Sequence, residues 1–490
     1  MIVEILGAKM LAPYVGTSHF VWTAQIAVTL AALTTGYYIG GKLADRSPRP
    51  GPMYGAILGA AAYLGLTVLV VEPVAYQCLK ANLAVGSLGA SAFLFFVPLA
   101  LLAMTGPYFI RVLTVAVAKV GGNVGRLTAI GTAGSLIGTI LIGYVLIPFQ
   151  RNSVTMYETA GVLVAVCVIY FLVWGRLRAV GGIAAAIGAI VTMTLGGAGI
   201  EQDAESHFKG FEQLYRANSN FGQVQVIESR YDHRRFYLND FLTQNTYDPA
   251  TGQSTSLFTY MLHGLARVYT PKLDSALCIG MGAGIVPMEL AGDGVKVDVV
   301  EINPAVVPLA KQFFGLDSSK LNITIGDGRQ YVNATQKRYD AIILDAFLGD
   351  SSPSHLMSHE AFAAMRKTLN PGGVLVINAF CDFEKGKDFF AGSLDKTLKS
   401  VFASVVILYG NGNVFYIASD QKELKRLHEP QTDTVHPHCR DEVVIAYDYF
   451  VHPDPKSGIV LTDDFNPIEY YDAANREEYR KFTAMAMQRR

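Results

Sequence analysis

The sequence predicts two folds in series: an α-helical polytopic membrane domain, then an α/β domain on a parallel sheet, with a small β-strand region opening the second part. Three observations carry this. The 490 residues are 51% hydrophobic and only 17% charged, whereas an average soluble chain is about a quarter charged. The charge is unevenly divided. Residues 1–200 hold 11 Lys+Arg and 4 Asp+Glu, and residues 201–490 hold 29 and 37. From residue 275 onward, short apolar runs that end in glycine or an acid alternate with helical stretches, the pattern of strands covered on both faces. The composition excludes a disordered chain and a collagen-like repeat, and no basic aromatic patch marks a nucleic-acid partner.

Six uncharged runs fill the first part: 10–41, 50–71, 81–110, 127–150, 159–175 and 179–200. A helix crosses the hydrocarbon core in about 20 apolar residues, so each run reads as a span, the fifth marginally. Two hundred residues cannot enclose six such helices in a soluble core. Gly36/Gly40, Gly55/Gly59 and Gly134/Gly138 stand four apart, the spacing that lets helices approach closely in lipid. Ile2–Val15 is apolar but short and carries Glu4 and Lys9. It has no signal-peptide layout and reads as the second half of a span. The basic loops Lys42/Arg46/Arg49, Arg111/Lys119/Arg126 and Arg176/Arg178 belong on the cytoplasmic side, which delivers residue 201 to the outer side.

The five cysteines (Cys78, Cys167, Cys278, Cys381, Cys439) show no paired spacing, so no metal site is expected, and the soluble part leans toward a reducing compartment. His355 and His359 stand four apart without a third ligand. His436-Pro-His438 reads as an exposed loop.

In the second part, residues 201–215 are polar and read as a linker. Gly222–Glu228 alternates with period two and Arg235–Leu238 follows a polar turn, the pattern of a hairpin or small sheet. Ser256–Val268 is a helix with one apolar face. Ala276–Ile279 is a buried strand leading into Gly280-Met-Gly282-Ala-Gly284 and a helix over Val286–Ala291. Val295–Val300 ends at Glu301, before a helix through Lys311. Ile323–Ile325 enters Gly326-Asp327-Gly328, and Tyr339–Leu344 ends at Asp345. A helix around Glu360–Leu369 precedes Pro371-Gly-Gly373 and the strand Val374–Ile377. Ligands in such sheets lie beyond the carboxyl ends of the strands. Those ends carry a glycine loop suited to close backbone approach, then Glu301, 17 residues past Gly284, near the spacing of a ribose-binding acid, then Asp327 and Asp345.

On these residues, with Phe221-Gly-Gln-Val-Gln-Val, Leu238-Asn-Asp-Phe-Leu-Thr-Gln244, Val300-Glu-Ile-Asn-Pro304 and Tyr339-Asp-Ala-Ile-Ile-Leu-Asp345, residues 215–380 resemble the spermidine synthase (polyamine aminopropyltransferase) family. Glu4–Tyr14, Gly36–Arg46 and Leu461-Thr-Asp-Asp-Phe-Asn-Pro467 resemble its bacterial form fused to an N-terminal multi-spanning domain. The resemblance implies a Rossmann-like, methyltransferase-type fold with a small N-terminal β subdomain. It implies that Gln244 and the loop of Gly280, Gly282 and Gly284 contact a nucleoside donor, that Glu301 holds its ribose, that Asp327 before Gly328 meets the adenine amino group, and that Asp345 is the catalytic aspartate. The donor implied is decarboxylated S-adenosylmethionine, with methylthioadenosine leaving; no permanently bound cofactor is expected. An amine acceptor is protonated at neutral pH, so Asp345, with a phenol from Tyr247 or Tyr260, is expected to take its proton.

Three departures stand out. The family's acid in the glycine loop is Ala283 here, the second acid of its Asp-x-x-Asp is absent after Asp345, and Ser256-Leu257-Phe258 replaces Asp-Glu-Phe ahead of Tyr260. The carboxylates a polyamine wants are therefore expected to be scarce, with Asp350, Asp463 and Asp464 as substitutes. Three readings stay open: aminopropyl transfer to an amine, the donor's own amine included, which gives cyclisation; methyl transfer from S-adenosylmethionine; and a non-enzymatic nucleoside-sensing domain on a membrane bundle. The expected domains are 1–200 in the lipid bilayer, 201–262 as linker and β subdomain, and 263–490 as catalytic domain. A homo-oligomer is left open. An adenosyl donor made in the cytoplasm favours that face for the catalytic domain, against the charge count.

Overall fold

A computed structural model describes the chain except residues 17–18, 115–119, 174–178, 205–207, 348–352, 473–474, 476–477 and 479–490. It separates into two units, Met1–Lys209 and Gly210–Tyr479.

In the first unit, five stretches among the described residues are long and apolar enough to cross a membrane: Phe20–Arg46, Gly51–Cys78, Leu83–Leu113, Val120–Phe149 and Asn152–Phe171. The marginal fifth run lies in a helix of 22 residues, Asn152–Val173, because the helix extends back through Glu158. The sixth run lies in helix Ala179–Ala204, and Ile2–Val15 is a separate short helix. Of the three glycine pairs, only Gly36/Gly40 is tightly packed. A Cβ at Gly36 would stand 2.2 Å from the Ala100 carbonyl oxygen and one at Gly40 2.7 Å from Met104 Cα, while Gly55 and Gly134 face open space. The span 83–113 contains a π-helical turn at Ala92–Phe96 just before Pro98. Proline has no N–H to give the Leu94 carbonyl. Thr67 Oγ1 donates to that carbonyl instead, at 3.2 Å, and the Tyr63 hydroxyl donates to Phe93. The backbone carbonyls of this turn are thus satisfied from a neighbouring helix.

The second unit holds two sheets. The first is antiparallel in the order β1 (Phe211–Ser219), β2 (Gly222–Ser229), β3 (Arg235–Asn239), β4 (Leu242–Asp248), β5 (Gln253–Ser254). Part of the expected linker is therefore strand: Phe211–Tyr215 pairs with β2. Asp240 and Phe241 both have positive φ, 46° and 65°, at the two-residue turn between β3 and β4, where hairpins favour that conformation.

The second sheet has seven strands: β6 (Ser275–Ile279), β7 (Lys296–Glu301), β8 (Asn322–Ile325), β9 (Tyr339–Leu344), β10 (Leu369–Ala379), β11 (Ser404–Gly410) and β12 (Asn413–Ser419), in the order β11-β12-β10-β9-β6-β7-β8. The first five are mutually parallel, and β12 is antiparallel to β10 and β11. The sheet is thus mixed rather than wholly parallel. Along β6, Cys278 belongs to one core, with Leu262, Val299 and Ile343, and Leu277 and Ile279 to the other, with Phe362, Leu375 and Leu394. Both faces are buried, which is why these strands read as unbroken apolar runs.

Candidate active site

The chain leaves β6 toward β7 and β8 on one side and returns through β9 and β10 on the other. The carboxyl ends of β6 and β9 are therefore a topological switch point, where open α/β sheets bind ligands. The Asp345 N–H donates to the Ile279 carbonyl at 3.0 Å. Gly280 has φ +89°, and a Cβ there would stand 2.2 Å from the Asp345 carbonyl oxygen. Only glycine fits where these two ends meet.

Glu301 is 7% exposed. One carboxylate oxygen accepts the Met281 N–H at 2.9 Å and the other the Asn303 N–H at 2.7 Å. Glu301 thus ties the glycine loop to the end of β7, and burial raises its pKa despite those bonds. The loop is held from its other side by Asn245 of β4, whose Oδ1 accepts the Ala283 N–H at 2.9 Å. Asp327 caps helix Gly328–Ala334 by accepting the Gln330 N–H at 2.8 Å. Its second oxygen lies 3.0 Å from His355 Nε2. Asp345 accepts from Asn378 Nδ2 at 3.0 Å; desolvation by the surrounding protein pushes its pKa up to about 6, against the lowering effect of that bond.

These ends line one cavity of about 960 Å³ that also takes in Gln244, Gly280, Gly282 and Gly328. It follows the sheet edge from Asp327 after β8 and Glu301 at the end of β7, past Gly280 and Asp345, to Asn378 on β10 and to Asn411 and Asn413 at the β11–β12 turn. Seven carboxylates line it among the described residues: Glu301, Asp327, Asp345, Asp382, Glu442, Asp472 and Glu478. No lysine or arginine does among the described residues, although Lys387 pairs with Glu478 at 2.8 Å. The expected scarcity of acids is therefore corrected. Beyond the strand-end acids, Asp382, Glu442, Asp472 and Glu478 reach the lining from more distant parts of the chain, which spacing within a motif cannot reveal.

Other expected residues lie elsewhere. The Tyr260 hydroxyl donates to the Ser254 carbonyl at 2.7 Å, and the Tyr247 ring packs on Phe314, centroids 5.7 Å apart. Neither lines the cavity. Gly284 starts helix Ile285–Gly292 from a left-handed conformation, just behind the lining. Asp463 pairs with Arg329 at 2.8 Å, Asp464 is exposed, and Asp350 lies outside the described residues. Asn245, Asn378 and His355 were missed as site residues, since single amides and a lone histidine carry no motif. Asn378 had a usable signal, as the residue just after the apolar run Val374–Ile377.

Residues 256–425 match the family model of the Spermine/spermidine synthase domain. The chain carries a spermidine synthase-type domain. It is 37% identical to a polyamine aminopropyltransferase of Vibrio vulnificus over 130 residues, 25% of this chain and 44% of that protein. It is 34% identical to a probable polyamine aminopropyl transferase of Bifidobacterium longum over 150 residues, 30% of this chain and 32% of that one. An N-terminal histidine N-methyltransferase of Emericella nidulans is 31% identical over 216 residues, 39% of this chain and 38% of that protein. The chain spans a third to under half the length of these relatives. The synthase-type domain contains Glu301, Asp327 and Asp345. Asn245 precedes it, and Glu442, Asp472 and Glu478 follow it.

Proposed function

We propose that this chain is a bilayer-anchored alkyl transferase that moves an aminopropyl group from decarboxylated S-adenosylmethionine to an amine. The observation that supports this is the charge of the cavity: carboxylates along its length and, among the described residues that line it, no lysine or arginine. The donor carries a sulfonium and an ammonium, and the acceptor is a further cation. A site of this sign concentrates both. S-adenosylmethionine adds a carboxylate, for which the described residues of this wall supply no lysine or arginine.

In the proposed reaction the nucleoside lies over β7 and β8, with Glu301 and Asp327 at its ribose and base, and the sulfonium sits near Gly280 and Asp345. The amine nitrogen forms a bond to the propyl carbon as the carbon–sulfur bond breaks. Sulfur takes that electron pair and leaves as neutral methylthioadenosine. Asp345, ionised above about pH 6, accepts the proton shed by the amine, and Asn378 holds the carboxylate in place. Holding both partners in one trough supplies proximity. Five apolar helical stretches support the anchoring, and the origin of the donor supports the cytoplasmic face for the second unit.

The test is mass analysis of the purified full chain incubated with each donor. Methylthioadenosine formed only when an amine is added supports the proposal. Methylthioadenosine from the donor alone, with a cyclic amine, assigns the acceptor to the donor itself. S-adenosylhomocysteine from S-adenosylmethionine favours methyl transfer, the activity named for the Emericella nidulans relative, and no product from either donor overturns the enzymatic reading.

A further inference from the structure

The Leu461–Pro467 motif, far from the strand ends in sequence, lies against the turn that brings His355 to Asp327. The Leu461 carbonyl accepts the His359 N–H at 2.8 Å, and Asn466 Nδ2 donates to the Ser354 carbonyl at 2.9 Å. Between these anchors sits Asp463. Its Oδ2 accepts from Arg329 Nη2 at 2.8 Å, and its Oδ1 accepts from the Ser358 hydroxyl. Arg329 Nη1 in turn donates to the His355 carbonyl at 2.9 Å and to Ser358 Oγ at 3.1 Å. Arg329 stands in the first turn of the helix that Asp327 caps. One guanidinium therefore joins the two segments whose side chains, Asp327 and His355, meet 3.0 Å apart on the cavity wall.

We infer that Asp463, acting through Arg329, is a positioning residue for the nucleoside end of the cavity: it fixes His355 against Asp327 and so sets the affinity for the donor. The inference rests on the donor assignment above. It gives the late acidic pair a role other than acceptor binding, since Asp463 is committed to Arg329 and does not line the cavity. A planar guanidinium makes three directed contacts here at once, which an ammonium cannot reproduce. Arg329→Lys is thus expected to behave like loss of the carboxylate. The acceptor half of the trough, beyond Asp345, shares no residue with this clamp.

The experiment compares wild type, Asp463→Asn and Arg329→Lys as full chains in detergent. Hydrogen exchange reads the turn 353–358 without ligand, and calorimetry reads binding of methylthioadenosine. The expected result is faster exchange confined to that turn and about tenfold weaker nucleoside binding in both variants. In turnover, the KM for donor rises, while the KM for amine and the kcat at saturating donor hold. Unchanged exchange in both variants overturns the clamp. Faster exchange with unchanged binding, or a loss shared equally by donor and amine, overturns the positioning role. A wild-type chain that does not bind methylthioadenosine overturns the donor assignment instead, and the exchange result still decides the clamp.

Discussion

Replacing Asp345 by Asn separates the two effects of its surroundings. Asparagine keeps an Oδ1 to accept from Asn378 Nδ2, now at 3.0 Å, and removes only the charge. The folded protein holds this carboxyl at about 6 against an ordinary value of 3.8. Ionising it in place therefore costs the fold up to roughly 3 kcal/mol. The sign follows from linkage. A carboxyl whose pKa is raised on folding contributes its full stability below about pH 4, and that contribution is gone once the pH passes about 6. Asp345→Asn is thus expected to leave stability unchanged near pH 4 and to raise it by about 1–3 kcal/mol at pH 8. Pulse proteolysis across a urea series, scored on fragments of the second unit, reads this at both pH values. Turnover should move the other way, falling about 10²–10⁴-fold with loss of the base, and wild-type activity should rise through about pH 6. A variant no more stable than wild type at pH 8, or a gain of the same size at pH 4, refutes the burial argument. Wild-type turnover in the asparagine variant refutes the role as base.

Gly280→Ala should abolish turnover and destabilise the second unit by at least about 1–3 kcal/mol, read by the same urea series, because its Cβ would overlap the Asp345 carbonyl. Asn245→Ala removes the acceptor for the Ala283 N–H and should weaken methylthioadenosine binding several-fold by calorimetry, with little change in the amine KM. Lys385 is exposed, so Lys385→Cys should resist an impermeant thiol reagent in intact cells and react after lysis if the second unit faces the cytoplasm. Cys381 is a poor probe for this, since burial pushes its thiol up to about 12. Binding of the doubly cationic donor near pH 6 should release protons as Asp345 ionises, seen as a buffer-dependent binding enthalpy that vanishes in Asp345→Asn.

Legibility in the sequence followed local strength of signal. Strand β9 was read at its observed bounds, Tyr339–Leu344, because its apolar run is closed by Asp345. Helix Gly328–Ala334 was not read: Arg329, Gln330 and Tyr331 show no apolar stripe, and Asp327-Gly328 imitates a turn when it is a helix cap. The β11–β12 hairpin was missed although Asn411-Gly412 between two β-branched and aromatic runs is a strong turn signal. At the site, Glu301, Asp327 and Asp345 were legible because a strand-end rule points to them. Tyr247 and Tyr260 were selected by chemistry alone, and packing on Phe314 and a bond to Ser254 place them elsewhere. Glu442 and Glu478 lie 97 and 133 residues beyond Asp345, so only the folded chain shows that they share its cavity.

Those distant acids bear on how the site chooses its substrates. The strand-end residues alone describe a nucleoside site that methyl and aminopropyl transfer could share: a glycine loop, an acid at the end of β7, and an acid after β8. In the proposed reaction, what differs between the two chemistries is the far side of β9, where S-adenosylmethionine would bring a carboxylate that its decarboxylated form lacks. Here that side is lined by Asp382 after β10, by Glu442 beside the β11–β12 turn, and by Asp472 and Glu478 near the C-terminus, with Glu478 paired to Lys387 at 2.8 Å and no lysine or arginine among the described residues that line the cavity. An anion entering this region would meet an excess of like charge, at a cost that grows as water is excluded. A cationic amine would lower the desolvation cost that Asp345 already bears. In the proposed reaction, selection between donors falls to this acidic side of the cavity, and Glu442→Lys is expected to act on donor choice rather than on nucleoside recognition.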